Sequence, residues 1–143
     1  MCIRDRGKTH LAAAFANETE RRYIPVIMLS TTELLNYLRS SFEGRTPVSF
    51  DRRLTILQNV PVLILDDLSY ESLSAWAREK VFQIIDYRYL RRYKTVITST
   101  KELEEMDNRV RTRLSNRLRC DVIAITAAAF VDRINNKRWQ PRT

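Results

Sequence analysis

Short apolar runs alternate along this chain with longer segments in which apolar residues recur at helical spacing. The short runs are aliphatic and rich in β-branched residues, which is typical of buried strands. They predict strands at Val26–Leu29, Val62–Leu65, Thr95–Thr98 and Val122–Ile125. Helices are predicted at Thr9–Tyr23, Glu33–Ser41, Asp51–Gln58, Ala75–Tyr93, Leu103–Leu118 and Ala127–Ile134. Because strands alternate with helices from end to end, we predict an α/β fold with a parallel sheet covered by helices on both faces.

The most informative run is Val62–Leu65, which is followed directly by Asp66 and Asp67. An aliphatic run without polar interruption is typical of a strand buried on both faces of a parallel sheet. The carboxyl end of such a strand lies where open α/β sheets bind ligands. We therefore interpret Asp66 as a magnesium ligand, directly or through water, and Asp67 as the group that polarises an attacking water. The alternative is that two carboxylates simply end a strand and begin a loop.

The segment Gly7-Lys8-Thr9 stands immediately before the first predicted helix and matches the end of the motif G-x-x-x-x-G-K-[ST]. In that motif, backbone N–H groups and the lysine bind phosphate, and the hydroxyl holds magnesium. The following helix directs its positive N-terminal end at the anion. The first glycine of the motif is replaced here by Cys2. The alternative is an ordinary helix start with a lysine in its first turn.

Composition and charge narrow the class of protein. The chain has 143 residues, of which 44% are hydrophobic and 29% are charged, as in a single globular domain. Its net charge of +8, carried mostly by arginine, favours a nucleotide or nucleic-acid partner. With one histidine, His10, and two distant cysteines, Cys2 and Cys120, the sequence disfavours Ser/His/Asp, Cys/His and zinc chemistry. No apolar run is long enough to span a membrane and no secretory signal is visible, so we expect a cytoplasmic location.

Two further segments fall where ligand contacts are expected. Ser99 or Thr100, which leave the third predicted strand, could orient the attacking water, although a strand end followed by a helix cap explains them as well. Arg109, Arg113 and Arg117 recur four residues apart on one predicted helix face. Their mutual repulsion favours a partner anion, either a neighbouring subunit's γ-phosphate or a nucleic-acid backbone. A solvated basic helix is the alternative.

Several patches, taken in order, resemble the AAA+ P-loop ATPases of the DnaC/DnaI helicase-loader type and the related IstB-type transposition helpers. The patches are Gly7–Ala12, Leu63–Leu68, Trp76–Lys80 with Phe82–Tyr89, and Thr95–Thr100. The resemblance extends from Gly7 to about Arg133 and implies a three-layer P-loop NTPase core that binds ATP and Mg²⁺. It implies that Thr9 and Asp66 are the metal ligands. The nucleotide contacts that it implies are Gly7, Lys8, Thr9 and His10.

The resemblance also implies catalytic roles and partners. Asp67 matches the second acid of the Walker B motif, and Thr100 stands where the family usually carries the sensor-1 asparagine. Arg113, or Arg109 as the second choice, would be an arginine finger that reaches the ATP of an adjacent subunit, which implies a homo-oligomer. The intact protein is expected to hydrolyse ATP and to act on single-stranded DNA and a replicative helicase. The alternatives are an IstB-like transposition helper acting on duplex DNA and a DNA-binding adaptor that does not hydrolyse ATP.

The strand that precedes the phosphate loop in this family is not recognisable in the sequence. Residues 1–6 are unlike a glycine-rich loop or a buried strand and are expected to be foreign or misassembled sequence. Residues 7–134 are expected to form a partial AAA+ core that lacks its first strand, and residues 135–143 a basic tail. In the family that strand lies near the middle of the sheet, so its neighbours would expose unpaired edges. We therefore expect the chain to bind ATP weakly and to aggregate.

Overall fold

The computed structural model of the chain describes residues 7–42 and 47–126. Within these ranges α-helices and strands alternate, as the hydrophobic pattern predicts. The helices are α1 (Lys8–Arg21), α2 (Thr31–Arg39), α3 (Phe50–Asn59), α4 (Ala75–Arg91) and α5 (Asn108–Leu114). The strands are β1 (Val26–Ser30), β2 (Val62–Asp66) and β3 (Lys94–Ile97). Single 3₁₀ turns lie at Tyr70–Ser72 and Leu103–Glu105.

The strands form one parallel sheet in the order β1-β2-β3. Ser30 of β1 lies beside Asp66 of β2, and Leu65 of β2 lies beside Ile97 of β3. The aliphatic residues Val62–Leu65 are buried in the central strand, as their unbroken apolar run predicts. Because the strands are parallel, their carboxyl ends meet at one edge of the sheet, next to the two adjacent aspartates.

Alternate residues of β2 pack into opposite layers. Leu63 and Leu65 belong to the larger core, which also contains side chains of α2, α3, α4 and α5. On the other face, Val62 and Ile64 pack with Ala12 of α1. Helices therefore cover both faces of the sheet, and the predicted parallel α/β fold is confirmed.

A buried arginine joins α3, α4 and β3. Arg88 of α4 has no exposed surface, and burial lowers the pKa of its guanidinium to about 10. It donates hydrogen bonds to the carbonyl oxygen of Lys94 at 2.7 Å and to the Oγ1 atom of Thr95 at 2.9 Å. It also donates to the carbonyl oxygens of Leu57, Gln58 and Val60, at 3.1, 3.1 and 2.8 Å. Arg88 thus satisfies carbonyl groups that the end of α3 leaves without helical partners.

The prediction of a fourth strand at Val122–Ile125 is wrong, because residues 121–126 have no regular secondary structure. β-Branched residues favour a strand only where a neighbouring strand completes the hydrogen-bond ladder. In the part of the chain that the structure describes, no strand lies on the outer edge of β3. Val122 and Ile123 are accordingly 45% and 83% exposed.

The prediction of a single helix over Leu103–Leu118 is also wrong. Asp107 interrupts the segment and caps α5, since its Oδ1 atom accepts a hydrogen bond from the Arg109 backbone N–H at 2.9 Å. Arg117 lies beyond the end of α5. Only Arg109 and Arg113 therefore share a helix face, rather than the three arginines that the spacing predicts.

Three sequence predictions fall outside the described residues. They are the leader at residues 1–6, the helix at Ala127–Ile134 and the tail at residues 135–143. Among the helices of residues 7–42 and 47–126, none combines the length and apolar character needed to cross a lipid bilayer.

A groove with a volume of about 810 Å³ follows the outer edge of β3. Its lining includes Leu11 and Phe15 of α1 and Val122 and Ile123 of the segment that follows α5. All of these apolar side chains are exposed. An apolar groove beside a strand edge that no described strand pairs with favours association with another polypeptide.

We expect the chain to self-associate through this groove. Ile123→Lys places a charge in the groove and should lower the associated fraction several-fold in sedimentation velocity measurements. Tyr23→Lys makes the same change in charge at a 96% exposed residue that does not line the groove, and it should leave association unchanged. Equal effects of the two variants would show that net charge, rather than the groove, controls association.

Candidate nucleotide site

The start of α1 and the end of β2 meet at the carboxyl edge of the sheet. The Oγ1 atom of Thr9 donates to the Asp66 carboxylate, at 2.9 Å from Oδ2 and 3.2 Å from Oδ1. The two residues are 57 positions apart in the sequence. The fold therefore brings the Gly-Lys-Thr segment and the acidic end of β2 into one crevice, where the side chains of Thr9 and Asp66 are in contact.

Gly7 forms the N-terminal boundary of α1. Its backbone is left-handed, with φ of 90° and ψ of 9°, a conformation that glycine adopts without strain. Its carbonyl oxygen accepts the first helical hydrogen bond, from the Leu11 N–H at 2.9 Å. Lys8 and His10 lie in the first turn, where Lys8 is half-buried and His10 is exposed. The first N–H groups of an α-helix have no acceptors within the helix, and helix N-termini of this kind bind anions in nucleotide sites.

The Asp66 carboxylate has a second neighbour, Thr98, which the sequence analysis did not single out. The Thr98 Oγ1 atom donates to Asp66 Oδ1 at 2.6 Å and accepts from the Asp67 backbone N–H at 2.9 Å. Thr98 follows β3 directly, whereas the sequence analysis favoured the next two residues. The sequence did contain a signal for Thr98, because it stands at the end of a predicted parallel strand and the ends of neighbouring parallel strands lie together.

Ser99 and Thr100 do not take part in these contacts. Ser99 Oγ donates to the Leu68 carbonyl oxygen at 3.1 Å and accepts from the Lys101 N–H at 3.1 Å, so it stabilises the local loop. Thr100 is half-buried in the bend that follows β3. Across residues 7–42 and 47–126, no hydrogen bond joins either side chain to the two aspartates.

Arg109 and Arg113 of α5 contact carboxylates of α4 in the same chain. Arg109 lies 3.1 Å from Glu79, and Arg113 lies 2.8 Å from Asp86. Both guanidinium groups also lie over the ring of Phe82, at 4.5 and 5.2 Å from its centroid. The hydrogen bond that Arg109 donates to the Glu79 carboxylate raises the pKa of the Arg109 guanidinium. Both arginines are therefore paired with carboxylates of α4 in this chain.

The donor set of the crevice fits a magnesium ion that arrives with a nucleotide. No group of three or more His, Cys, Asp or Glu residues that could hold a metal ion gathers within residues 7–42 and 47–126. Mg²⁺ in nucleotide sites typically takes one or two carboxylates and completes its octahedral shell with phosphate oxygens and water. The hydroxyl of Thr9 and the carboxylate of Asp66 converge as hard oxygen ligands of this kind.

The fold and the crevice together define a parallel α/β domain of the P-loop ATP-binding class. The sequence profile of the family described as IstB-like ATP binding protein matches residues 4–135. The chain therefore belongs to the IstB-like ATP-binding family.

Replicative helicase loaders are similar in sequence. The helicase loader DnaC of Escherichia coli (strain K12) is 27% identical over 113 residues, which cover 79% of this chain and 46% of DnaC. The helicase loader DnaI of Bacillus subtilis (strain 168) is 28% identical over 101 residues, which cover 70% of this chain and 32% of DnaI. The chain thus spans less than half the length of these relatives.

Solved structures agree with this relationship. A crystal structure of the DnaC helicase loader matches with a TM-score of 0.59 and 34% identity, covering 80% of this chain and 64% of that chain. The replication initiator DnaA bound to AMPPCP and single-stranded DNA matches with a TM-score of 0.67 at 23% identity, covering 77% of this chain and 34% of DnaA, which shows a common fold. The resemblance to AAA+ helicase loaders inferred from the sequence patches is confirmed.

Proposed function

We propose that the chain is part of a helicase-loader-like ATPase that binds Mg²⁺ and ATP in the crevice between α1 and β2. The hydrogen bond between Thr9 and Asp66 carries this proposal, because it joins the hydroxyl of the Gly-Lys-Thr segment to the acid of the central strand. The family match and the helicase-loader relatives support it. ATP hydrolysis by the wild-type chain beside Asp67→Asn tests it, since a catalytic Asp67 requires turnover to fall in the variant.

Each residue of the crevice has a chemical task in this proposal. Lys8, Gly7 and His10 bind the nucleotide, with the lysine reaching the terminal phosphates. Thr9 and Asp66 hold Mg²⁺, which when bound neutralises charge on the phosphate oxygens. Asp67 is exposed beyond the buried strand and polarises the attacking water.

Thr100 and the α5 arginines complete the proposal. Thr100 takes the sensor-1 position and orients the water. Arg113, with Arg109 as the second choice, acts on the ATP of a neighbouring copy, so the protein works as a homo-oligomer. Support comes from α5 itself, which holds both guanidinium groups on one face against Phe82.

An aromatic patch supports single-stranded DNA as a partner. Phe42 is 66% exposed and stacks on Phe50, with ring centroids 5.1 Å apart. Trp76 meets the Phe42 ring edge-on at 6.4 Å. Arg39 lies 5.5 Å over Trp76 and Lys80 lies 5.3 Å over Phe50. An exposed ring beside cations can stack on a base while the cations contact the phosphate backbone.

Phe42→Ala is expected to weaken binding of an oligothymidine strand by about 1 to 3 kcal/mol, the cost of losing one stacking platform. Fluorescence anisotropy at several salt concentrations measures this change. The slope of log K against log salt should stay unchanged, because no phosphate contact is removed. Tyr23→Ala removes another exposed ring, remote in sequence from the patch, and serves as the control.

The same DNA-binding titration distinguishes single-stranded DNA from duplex DNA as the preferred partner. A preference for single strands that Phe42→Ala abolishes fits a protein that delivers DNA to a replicative helicase, as the names of DnaC and DnaI indicate for those relatives. A preference for duplex DNA that is unaffected by Phe42→Ala would favour the IstB-like transposition helper, which the family match supports.

A DNA-binding adaptor that does not hydrolyse ATP is the second candidate function. Thr100 in place of the sensor-1 asparagine and Cys2 in place of the first loop glycine favour it. Under this candidate, wild-type and Asp67→Asn chains have the same turnover and bind DNA equally well.

A further inference from the structure

The ends of β2 and β3 are joined by a β-bulge. The Thr98 N–H donates to the Leu65 carbonyl oxygen at 3.0 Å, and the Leu68 N–H donates to the Thr98 carbonyl oxygen at 2.8 Å. In a regular parallel ladder the second of these donors would be Asp67, one residue earlier. Two residues, Asp66 and Asp67, therefore lie opposite Thr98, and bulges of this kind redirect side chains beside functional sites.

The bulge takes the backbone N–H of Asp67 out of the ladder. Asp67 has a φ of 53°, a left-handed conformation that aspartate tolerates better than most residues. Its displaced N–H is satisfied by the Thr98 hydroxyl at 2.9 Å, and its carbonyl oxygen accepts a long hydrogen bond of 3.4 Å from Thr31 Oγ1. The chain thus leaves the central strand along a path that side chains of two neighbouring elements stabilise.

The same Thr98 hydroxyl donates to Asp66 Oδ1 at 2.6 Å. A hydroxyl has one donor and two acceptor lone pairs, so it can accept from the Asp67 N–H while donating to the Asp66 carboxylate. Valine has the same shape and can do neither, whereas serine retains both hydrogen bonds. The chemistry of residue 98 therefore decides whether the two adjacent aspartates are held together.

We propose that Thr98 is a positioning residue of the nucleotide site. It fixes the bulged end of β2, in which the Asp66 carboxylate meets Thr9 and Asp67 stands exposed immediately beyond the buried strand. This inference rests on the proposed function, because it assigns Thr98 to the Mg²⁺–ATP site. Thr98 acts through the two aspartates, since its hydroxyl is occupied by hydrogen bonds to both.

The test compares Thr98→Val and Thr98→Ser in the 143-residue chain, with Thr32→Val at an exposed position of α2 as the control. Binding of a fluorescent ATP analogue is titrated with Mg²⁺ and with EDTA. Thr98→Val should weaken the Mg²⁺-dependent binding about 10- to 100-fold, as the loss of an outer-shell partner does in other metal sites. Thr98→Ser and Thr32→Val should bind within about 3-fold of the wild type, because both keep the hydroxyl at residue 98.

Hydrogen exchange of the Asp67 amide, followed by NMR, provides a readout that does not depend on the nucleotide. Exchange should accelerate about 10-fold in Thr98→Val, which removes the hydroxyl acceptor, and stay near the wild-type rate in Thr98→Ser. Equal analogue binding by Thr98→Val and the wild type would overturn the inference. Equal losses in Thr98→Val and Thr98→Ser would also overturn it, since packing rather than hydrogen bonding would then be responsible.

Failure of the proposed function looks different. A wild-type chain that shows no Mg²⁺-dependent binding overturns the ATP site and with it the role of Thr98 in that site. The exchange rates then still decide whether Thr98 fixes the bulge. Faster Asp67 exchange in Thr98→Val than in Thr98→Ser supports the role of the Thr98 hydroxyl in fixing the bulge, and identical exchange rates refute it.

Discussion

Asp67→Asn is expected to lower the rate of ATP hydrolysis by about 10²- to 10⁴-fold, the range typical for loss of a positioned acid–base group. The amide keeps the size of the side chain but loses the negative charge that polarises the attacking water. ATP binding should remain within about 3-fold of the wild-type value, because Lys8, Thr9 and Asp66 are unchanged. Phosphate release at saturating Mg²⁺–ATP measures the rate, and calorimetry measures the binding.

Two comparisons make this result decisive. Asp51→Asn changes the same functional group at the exposed start of α3 and should hydrolyse ATP at the wild-type rate. Because weak ATP binding is expected, the assay is repeated on a version of the protein that carries a complete Gly-x-x-x-x-Gly-Lys-Thr loop ending at Thr9. If this version and its Asp67→Asn variant have equal turnover, Asp67 is not catalytic and the adaptor function is favoured.

Arg88→Met is expected to lower the free energy of unfolding by about 3 to 5 kcal/mol. The variant removes all of the guanidinium hydrogen bonds, and it leaves buried carbonyl groups at the end of α3 and the start of β3 without donors. Urea unfolding followed by circular dichroism measures this loss. The unfolding free energy of Arg88→Lys should fall between those of Arg88→Met and the wild type, because an ammonium group has three donors and a guanidinium group has five.

Arg52→Met is the matched control for this prediction. Arg52 lies exposed on α3, so the same replacement should change the unfolding free energy by less than about 0.5 kcal/mol. If Arg88→Met were as stable as Arg52→Met, water would have to replace the guanidinium as donor to these carbonyl groups. The buried hydrogen-bond cluster would then contribute little to stability.

The hydrophobic pattern correctly predicted those helices and strands whose local sequence alone determines their structure. The run Val62–Leu65 forms the central strand, and the helical spacing of Ala77, Val81, Ile84 and Ile85 places one face of α4 in the core. Val122–Ile125 has an equally good strand composition but forms no strand, because a strand also needs a neighbouring strand that completes its hydrogen-bond ladder. That requirement is not contained in the local sequence.

The polar contacts were harder to predict. Arg88 is one of three arginines in the segment 88–92, a density that suggests a solvated surface, yet it stands four residues after Ile84 and three after Ile85, on the buried face of α4. Thr98 was taken as part of a β-branched strand, so its hydroxyl was overlooked. In both cases the spacing contained the signal, but the residue type suggested a different environment.

The contacts of α5 determine how firmly its arginines are held. The ion pair of Arg109 with Glu79 is largely exposed, with side chains 47% and 59% accessible, and pairs of this kind contribute about 0 to 1 kcal/mol. Charge-assisted, bidentate binding of a guanidinium to phosphate is stronger than such a pair. In the proposed arginine-finger role, a phosphate would compete with Glu79 for the donors of Arg109. Glu79 thus orients the Arg109 guanidinium through a weak ion pair that a stronger anionic partner can replace.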